Sequence, residues 1–264
     1  MQFEIPSHEG LPIRGDVSAP PEARALVVIA HGFKGFKDWG FFPWLAEHLC
    51  RRFVVCRFNM SRSGIGENPE SFDRLDLFAG DTYSTQVTDL AVVTRYMQAT
   101  FRDLPTFLLG HSRGGGVALL AAQEIEGLSG VVTWSAIARA DRWDDETKRK
   151  WRADGFLDVL NARTGQVMRM SPSILDDYET NRERLDILRA TAALRVPLLV
   201  VHGSRDESVP VEEAELIASK ASDVSLVKIR KASHTYNAIH PLVHVPVELS
   251  LAAEVTARFI AAYD

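Results

Sequence analysis

Cysteine is scarce in this chain: Cys50 and Cys56 are its only two among 264 residues, and they form no C-x-x-C pair. Neither a disulfide framework nor a zinc or dithiol motif can be built on them, so two buried reduced thiols are expected. Long apolar runs are missing as well. No stretch approaches the roughly 20 residues that span a bilayer, and the opening Met-Gln-Phe-Glu-Ile-Pro lacks the basic-then-apolar order of a secretory signal. A soluble, cytoplasmic protein is expected. Basic charge is not in excess: 30 Lys and Arg face 35 Asp and Glu, a formal charge of -5, with the two signs interspersed. That excludes the basic stripe a nucleic-acid backbone requires. No H-E-x-x-H, G-x-x-x-x-G-K or G-x-G-x-x-G match occurs, so zinc-hydrolase and phosphate-cradling chemistries lose their usual residues. His240 and His244 are four apart, but Pro241 breaks the helix that would put both on one face, so no metal site is read there.

What is present is a chain with 46% hydrophobic and 25% charged residues, enough to bury the core of one large domain. Phe3 to Ile5 and Leu11 to Arg14, split by Ser7-His8-Glu9-Gly10, read as a hairpin. Alternation then begins. Strands are predicted at Ala25–Ala30, Phe53–Phe58, Thr106–Leu109, Leu128–Trp134, Pro197–His202 and Val224–Ile229, the first of them apolar throughout, as a sheet buried on both faces demands. Helical spacing covers Phe42 to Arg52, Thr82 to Thr100, the segment after Gly114, and Pro246 to Tyr263. Strand and helix in turn imply β-α-β units, a doubly wound and mostly parallel sheet, and a ligand crevice at the carboxyl ends of its strands. The charge-rich stretch 136–193 interrupts the alternation and reads as a small helical cap, leaving 1–135 and 194–264 as the α/β core.

Gly110-His-Ser112-Arg-Gly114 joins a predicted strand to a predicted helix. A serine on such a turn takes a strained backbone that bare glycines two residues to either side accommodate, and its hydroxyl is lifted clear of the sheet. A serine hydroxyl barely ionises at neutral pH, so its use as a nucleophile needs an imidazole to take the proton and a carboxylate to hold that imidazole. Asp206, in His202-Gly-Ser-Arg-Asp-Glu-Ser-Val-Pro210, lies just beyond a strand, and His234 follows the last strand. Ser112, Asp206 and His234 therefore all fall in loops at one edge of the sheet. Two backbone N–H groups must also receive the developing oxyanion. Arg113 follows the serine, and Phe33, in the glycine-flexed His31-Gly-Phe33 turn, supplies the second candidate.

On these segments the chain resembles the α/β-hydrolase superfamily over nearly its whole length. His-Gly-Phe-Lys-Gly-Phe-Lys-Asp38 and the small cap are most similar to bacterial carboxylesterases of the cinnamoyl/feruloyl esterase and dienelactone-hydrolase-like branches. The resemblance implies ester hydrolysis through an acyl-serine on Ser112, with His234 as base, Asp206 as its orienting acid, and neither metal nor organic cofactor. The Asn59-Met-Ser-Arg-Ser-Gly-Ile-Gly66 loop departs from the Gly-x-Gly-x-Ser loop of many relatives, which bears on substrate detail. The expected partner is a small-molecule ester, with no nucleic acid and no membrane, and a homodimer is allowed for.

Other readings stand beside these. The same triad serves amides, thioesters or carbon–carbon bonds, and the fold can also carry a non-catalytic ligand-binding protein. His31 and His202 are expected to make structural hydrogen bonds, and His111 to pack or bond locally. Phe33, Phe36, Trp39, Phe41, Phe42 and Trp44, and in the cap Trp143, Trp151, Phe156, Met168 and Met170, divide between core and pocket wall.

Overall fold

Leu26–Ala30 (β3) is wholly buried, and its pleat deals its side chains alternately into two separate cores: Leu26, Val28 and Ala30 to one side, Val27 and Ile29 to the other. In the computed structural model, which describes residues 1–68, 71–161 and 164–263, this strand lies inside an eight-stranded sheet. The remaining strands are β1 (Gln2–Pro6), β2 (Pro12–Ser18), β4 (Val54–Asn59), β5 (Thr106–His111), β6 (Leu128–Trp134), β9 (Leu198–Gly203) and β10 (Val224–Ile229). Their spatial order is β1-β2-β4-β3-β5-β6-β9-β10. β1 and β2 form the expected hairpin, β2 runs antiparallel to β4, and every other pairing is parallel.

Helices cover both faces, as a parallel sheet requires. Helix α3 (Tyr83–Thr100), capped by the Thr82 side chain on the Thr85 amide, packs Val87, Leu90, Val93 and Met97 into the core that receives Leu26. On the other face lie α1 (Phe42–Leu49) and α9 (Val247–Ala262), through Phe42, Leu45 and Leu49 and through Leu249, Ala253 and Ile260. Both cysteines are free thiols, Cys56 buried in β4 as expected and Cys50, at the end of α1, only half-buried. Helix α8 (Val211–Ala218), between β9 and β10, was not among the predicted elements.

The excursion between β6 and β9 holds helices α5 (Asp145–Asp154), α6 (Ser173–Thr180) and α7 (Ile187–Ala192), and to these it adds an antiparallel hairpin of β7 (Leu157–Leu160) and β8 (Val167–Met170). Residues 162 and 163 of the expected cap range, 69 and 70 of the first core range and 264 of the second lie outside the described residues. Trp151 donates its indole N–H to the Met170 carbonyl at 2.9 Å, and Trp151, Met168 and Met170 are buried in the same core as Leu26. These three side chains of the excursion are therefore core.

Helix α4 (Arg113–Ala121) leaves β5 through a turn with no room for side chains at its flanks. A Cβ on Gly110 would lie 2.1 Å from the Gly114 carbonyl oxygen, and one on Gly114 2.4 Å from that of His31. Both obstacles are backbone and cannot swing aside. Gly114→Ala is expected to lower the Tm by about 5 °C in a thermal melt, since forced overpacking costs about 1–3 kcal/mol. An unchanged Tm would contradict this account of the turn.

Candidate active site

Ser112 stands at the mouth of this turn with φ 57° and ψ -121°, a left-handed conformation that a non-glycine residue adopts at a cost of about 1–3 kcal/mol. Its backbone is held from both sides: its N–H donates to the Trp134 carbonyl at 2.8 Å, and its carbonyl accepts from Gly115 at 3.0 Å. The strain is thus maintained by the β5–β6 pairing and the first turn of α4.

His234 reaches Ser112 from the loop after β10, where Lys231, Tyr236 and Asn237 also take positive φ. Its Nε2 lies 3.0 Å from Ser112 Oγ, and its Nδ1 lies 3.0 and 2.9 Å from the two carboxylate oxygens of Asp206. Asp206 sits in the turn after β9, its side chain fully buried, with Oδ1 accepting from the amides of Ser208 at 2.9 Å and Val209 at 2.8 Å. Burial alone would raise its pKa. Hydrogen bonds from His202, His234 and the Val209 amide outweigh burial and hold it well below the usual carboxylate range. An ionised carboxylate facing Nδ1 places the imidazole proton there and leaves Nε2 to accept from the Ser112 hydroxyl.

Two histidines tighten this arrangement. His202 is fully buried, and its Nε2 faces both Asp206 Oδ2 at 3.2 Å and the Val209 carbonyl at 2.9 Å, so it carries its proton on that nitrogen and braces the acid. His111, expected to pack or bond locally, packs edge-on against Phe41 at 5.2 Å between centroids, and its hydrogen bond is long-range: Nε2 donates to the carbonyl of His234, 123 residues away, at 3.0 Å. Burial pushes the His111 pKa down to about 3, which keeps the ring neutral. It is a positioning residue that sequence reasoning missed, because position 111 gives no sign of which distant loop its ring will meet.

The loop after β3 is fixed by a third histidine. His31 donates from Nδ1 to the Gly32 carbonyl at 3.0 Å and accepts the Met60 amide on Nε2 at 3.3 Å, with its pKa lowered to about 4 by burial. The Gly35 amide closes the turn onto the Gly32 carbonyl at 3.0 Å, and a Cβ on Gly32 would come within 3.0 Å of Ser112 Cβ. Gly32 is thereby held against the serine, with Phe33 next to it in the chain.

Two recesses open on Ser112 and His234, and Phe33 and Lys34 line both. One, of about 210 Å³, is walled by Trp39, Phe42, His111 and Thr235, with Asn161 from the excursion between β6 and β9. The other, of about 440 Å³, is walled by Arg113, Ile137, Arg142, Trp143 and Val209. Lys34 Nζ donates to the Leu160 carbonyl at 3.0 Å and so joins the β7–β8 hairpin to the loop after β3. Of the two aromatic groups, Phe33, Trp39 and Trp143 thus face the crevice, Phe42 is a core residue that also borders the smaller recess, Phe36 and Phe41 are core, and Trp44 is half-buried against His48. Phe156 is half-buried beneath the Arg169 guanidinium. His240 accepts the Gly40 amide at 2.8 Å. Among the described residues no cluster of His, Cys, Asp and Glu suits a metal ion, and no helix is long and apolar enough to cross a membrane.

Residues 21–184 match the family model described as serine aminopeptidase, S33. The chain belongs to that α/β-hydrolase family. No curated protein matches its sequence. Among solved structures, this member of the family is similar to Est1E from Butyrivibrio proteoclasticus with ferulic acid bound, at 21% identity and a TM-score of 0.77 over 99% of this chain and 98% of that one. It is also similar to the esterase domain of a Rhodothermus marinus protein, at 20% identity and a TM-score of 0.68 over 100% and 98% of the chains. A dienelactone hydrolase from Anabaena variabilis aligns at 18% identity and a TM-score of 0.65, again over 100% and 98%. These likenesses establish the doubly wound hydrolase fold.

Proposed function

We propose that this S33-family hydrolase is a serine carboxylesterase. One observation carries the reading: a continuous chain of contacts from Ser112 Oγ through His234 to a buried, ionised Asp206. In the reaction, Ser112 Oγ attacks the ester carbonyl carbon while His234 Nε2 takes the hydroxyl proton. The tetrahedral oxyanion is received by the amides of Phe33 and Arg113. On collapse the C–O bond to the alcohol breaks, His234 returns its proton to the leaving oxygen, and an acyl-serine remains. Water activated by the same imidazole then releases the acid and restores Ser112.

The recesses bear on the substrate. A volume of about 210 Å³ lies below the roughly 300–1,000 Å³ of sites for drug-sized ligands, which suits a small acyl group. Its walls of Phe33, Trp39 and Phe42 suit a flat, apolar one. The structure with ferulic acid bound points to the same aryl class. A second reading comes from the family description, which names an aminopeptidase. An enzyme acting on an amino terminus needs a carboxylate to receive the substrate's ammonium group, yet among the described residues neither recess is lined by Asp or Glu, and both are lined by Lys34. The ester reading is therefore preferred.

A fluorophosphonate probe is expected to label Ser112, located by peptide mass spectrometry. In a panel of p-nitrophenyl esters, methyl ferulate and aminoacyl anilides, kcat/KM is expected to be highest for short-chain or aryl acyl esters and at least about a hundredfold lower for the anilides, an ammonium group without a partner costing about 3 kcal/mol or more. Faster hydrolysis of the anilides would overturn the preference.

A further inference from the structure

Arg113 is one of the two residues whose backbone amides are assigned to the oxyanion, and its side chain is deeply buried beside the other. The guanidinium carbon lies 4.1 Å from the centroid of the Phe33 ring and 4.9 Å from that of Tyr83, and the side chain is 6% exposed. Phe33 in turn stacks on Phe78, centroid to centroid 5.7 Å, in the short helix α2 (Leu75–Ala79). Asp81, just before α3, lies with Oδ2 3.7 Å from Arg113 Nη1, and Gln86 of α3 donates to that same oxygen. The long arginine thus ties the oxyanion loop to the α2–α3 junction.

We infer that the Arg113 side chain, anchored by Asp81, is a positioning residue for the oxyanion site, holding Phe33 so that its amide keeps a fixed distance from the amide of Arg113 itself. The inference rests on the hydrolase reading. Its physical basis is preorganisation: donors that receive charge in a transition state are effective only if they need no rearrangement when the charge forms. The His31 and Gly35 bonds fix the backbone on either side of Phe33, and a guanidinium against its ring holds the residue between them. The guanidinium acts on the ester through Phe33, which supplies an oxyanion amide and also walls the smaller recess, so its loss should weaken transition-state stabilisation more than ground-state binding.

A purely structural buried ion pair is the competing explanation, and it predicts lost stability without a specific kinetic signature. Burial pushes the Asp81 carboxyl up to about 7 against the opposing pull of Arg113, so removing the cation leaves an acid able to become neutral, which favours a folded variant. The test measures kcat, KM and the affinity of a boronic acid for Arg113→Met and Arg113→Lys, each beside its Tm. The boronic acid accepts Ser112 Oγ on boron while the hydroxyl proton passes to His234, giving a tetrahedral anion that occupies the oxyanion site.

Loss of a whole oxyanion donor costs about 10²–10³ in kcat, so misplacing one is expected to lower kcat by about 10- to 100-fold in Arg113→Met. KM should change by a much smaller factor than kcat, Phe33 being one wall among several of the smaller recess, and boronate affinity should fall at least as far as kcat. Arg113→Lys, which keeps the charge near Asp81 but not the planar contact, should recover part of both losses. Wild-type kcat and boronate affinity in either folded variant, or a loss confined to KM or Tm, would overturn the positioning role while wild-type labelling at Ser112 still upheld the hydrolase. An unlabelled wild-type Ser112 would instead remove the hydrolase reading, and this inference with it.

Discussion

Replacing Ser112 by alanine is expected to lower kcat/KM toward p-nitrophenyl esters by about 10⁴–10⁶-fold, while the affinity for a carboxylic acid product, measured by calorimetry, stays within about threefold of wild type. The size follows from the contact chain. Once Oγ is gone, His234 has no hydroxyl to deprotonate and Asp206 has only an idle imidazole to orient, so the group fails as a unit. Binding survives because the aromatic walls of the smaller recess come from Phe33, Trp39 and Phe42. Stability should rise slightly if it changes at all, since Ser112 occupies a strained φ of 57°, which the proposed nucleophilic role would account for. A Ser112→Ala protein that keeps more than about a tenth of its esterase rate would require another nucleophile.

Local chemistry made the core of the site legible in the sequence. A glycine two residues either side of Ser112 between an apolar run and a helix is a statement about backbone crowding, and the structure places carbonyl oxygens 2.1 and 2.4 Å from where those Cβ atoms would be. Asp206 and His234 could be placed because each follows an apolar strand, and loops after parallel strands emerge at one edge. Helix α8 carried a readable signal: Pro210 at its start, Glu212 and Glu213 in its first turn, and Ala214 and Ile217 three apart on its buried face. The β7–β8 hairpin was harder, because each strand is only four residues and the exposed, apolar Leu160 and Val167 mask its alternation. Long-range partners were beyond reach. Nothing near His111 names the His234 carbonyl, and nothing near Arg113 names Asp81, since those pairings arise only when separate loops pack on one strand end.

Asp206→Asn is expected to reduce kcat by about 10³–10⁴-fold with KM nearly unchanged, because the carboxylate sets which imidazole nitrogen holds the proton. In the wild type its oxygens accept from the Ser208 and Val209 amides, from His234 Nδ1 and from His202 Nε2. An asparagine presents one oxygen and an N–H₂ group. If the oxygen stays on the two backbone amides, the N–H₂ faces both histidines and drives the His234 proton to Nε2, toward Ser112, where it can no longer accept. Stability supplies a second readout with a definite sign. The folded state holds the Asp206 pKa well below its unfolded value of about 3.9, so the ionised form binds fewer protons when folded. Its contribution is fully present above that unfolded value and decays as pH falls below it. The Tm gap between wild type and Asp206→Asn should therefore be constant between about pH 5 and 8 and narrow below about pH 4. A gap that widens on acidification would mean that Asp206 is neutral in the folded protein, and with a neutral acid at this position the imidazole would have no fixed charge to hold its proton on Nδ1.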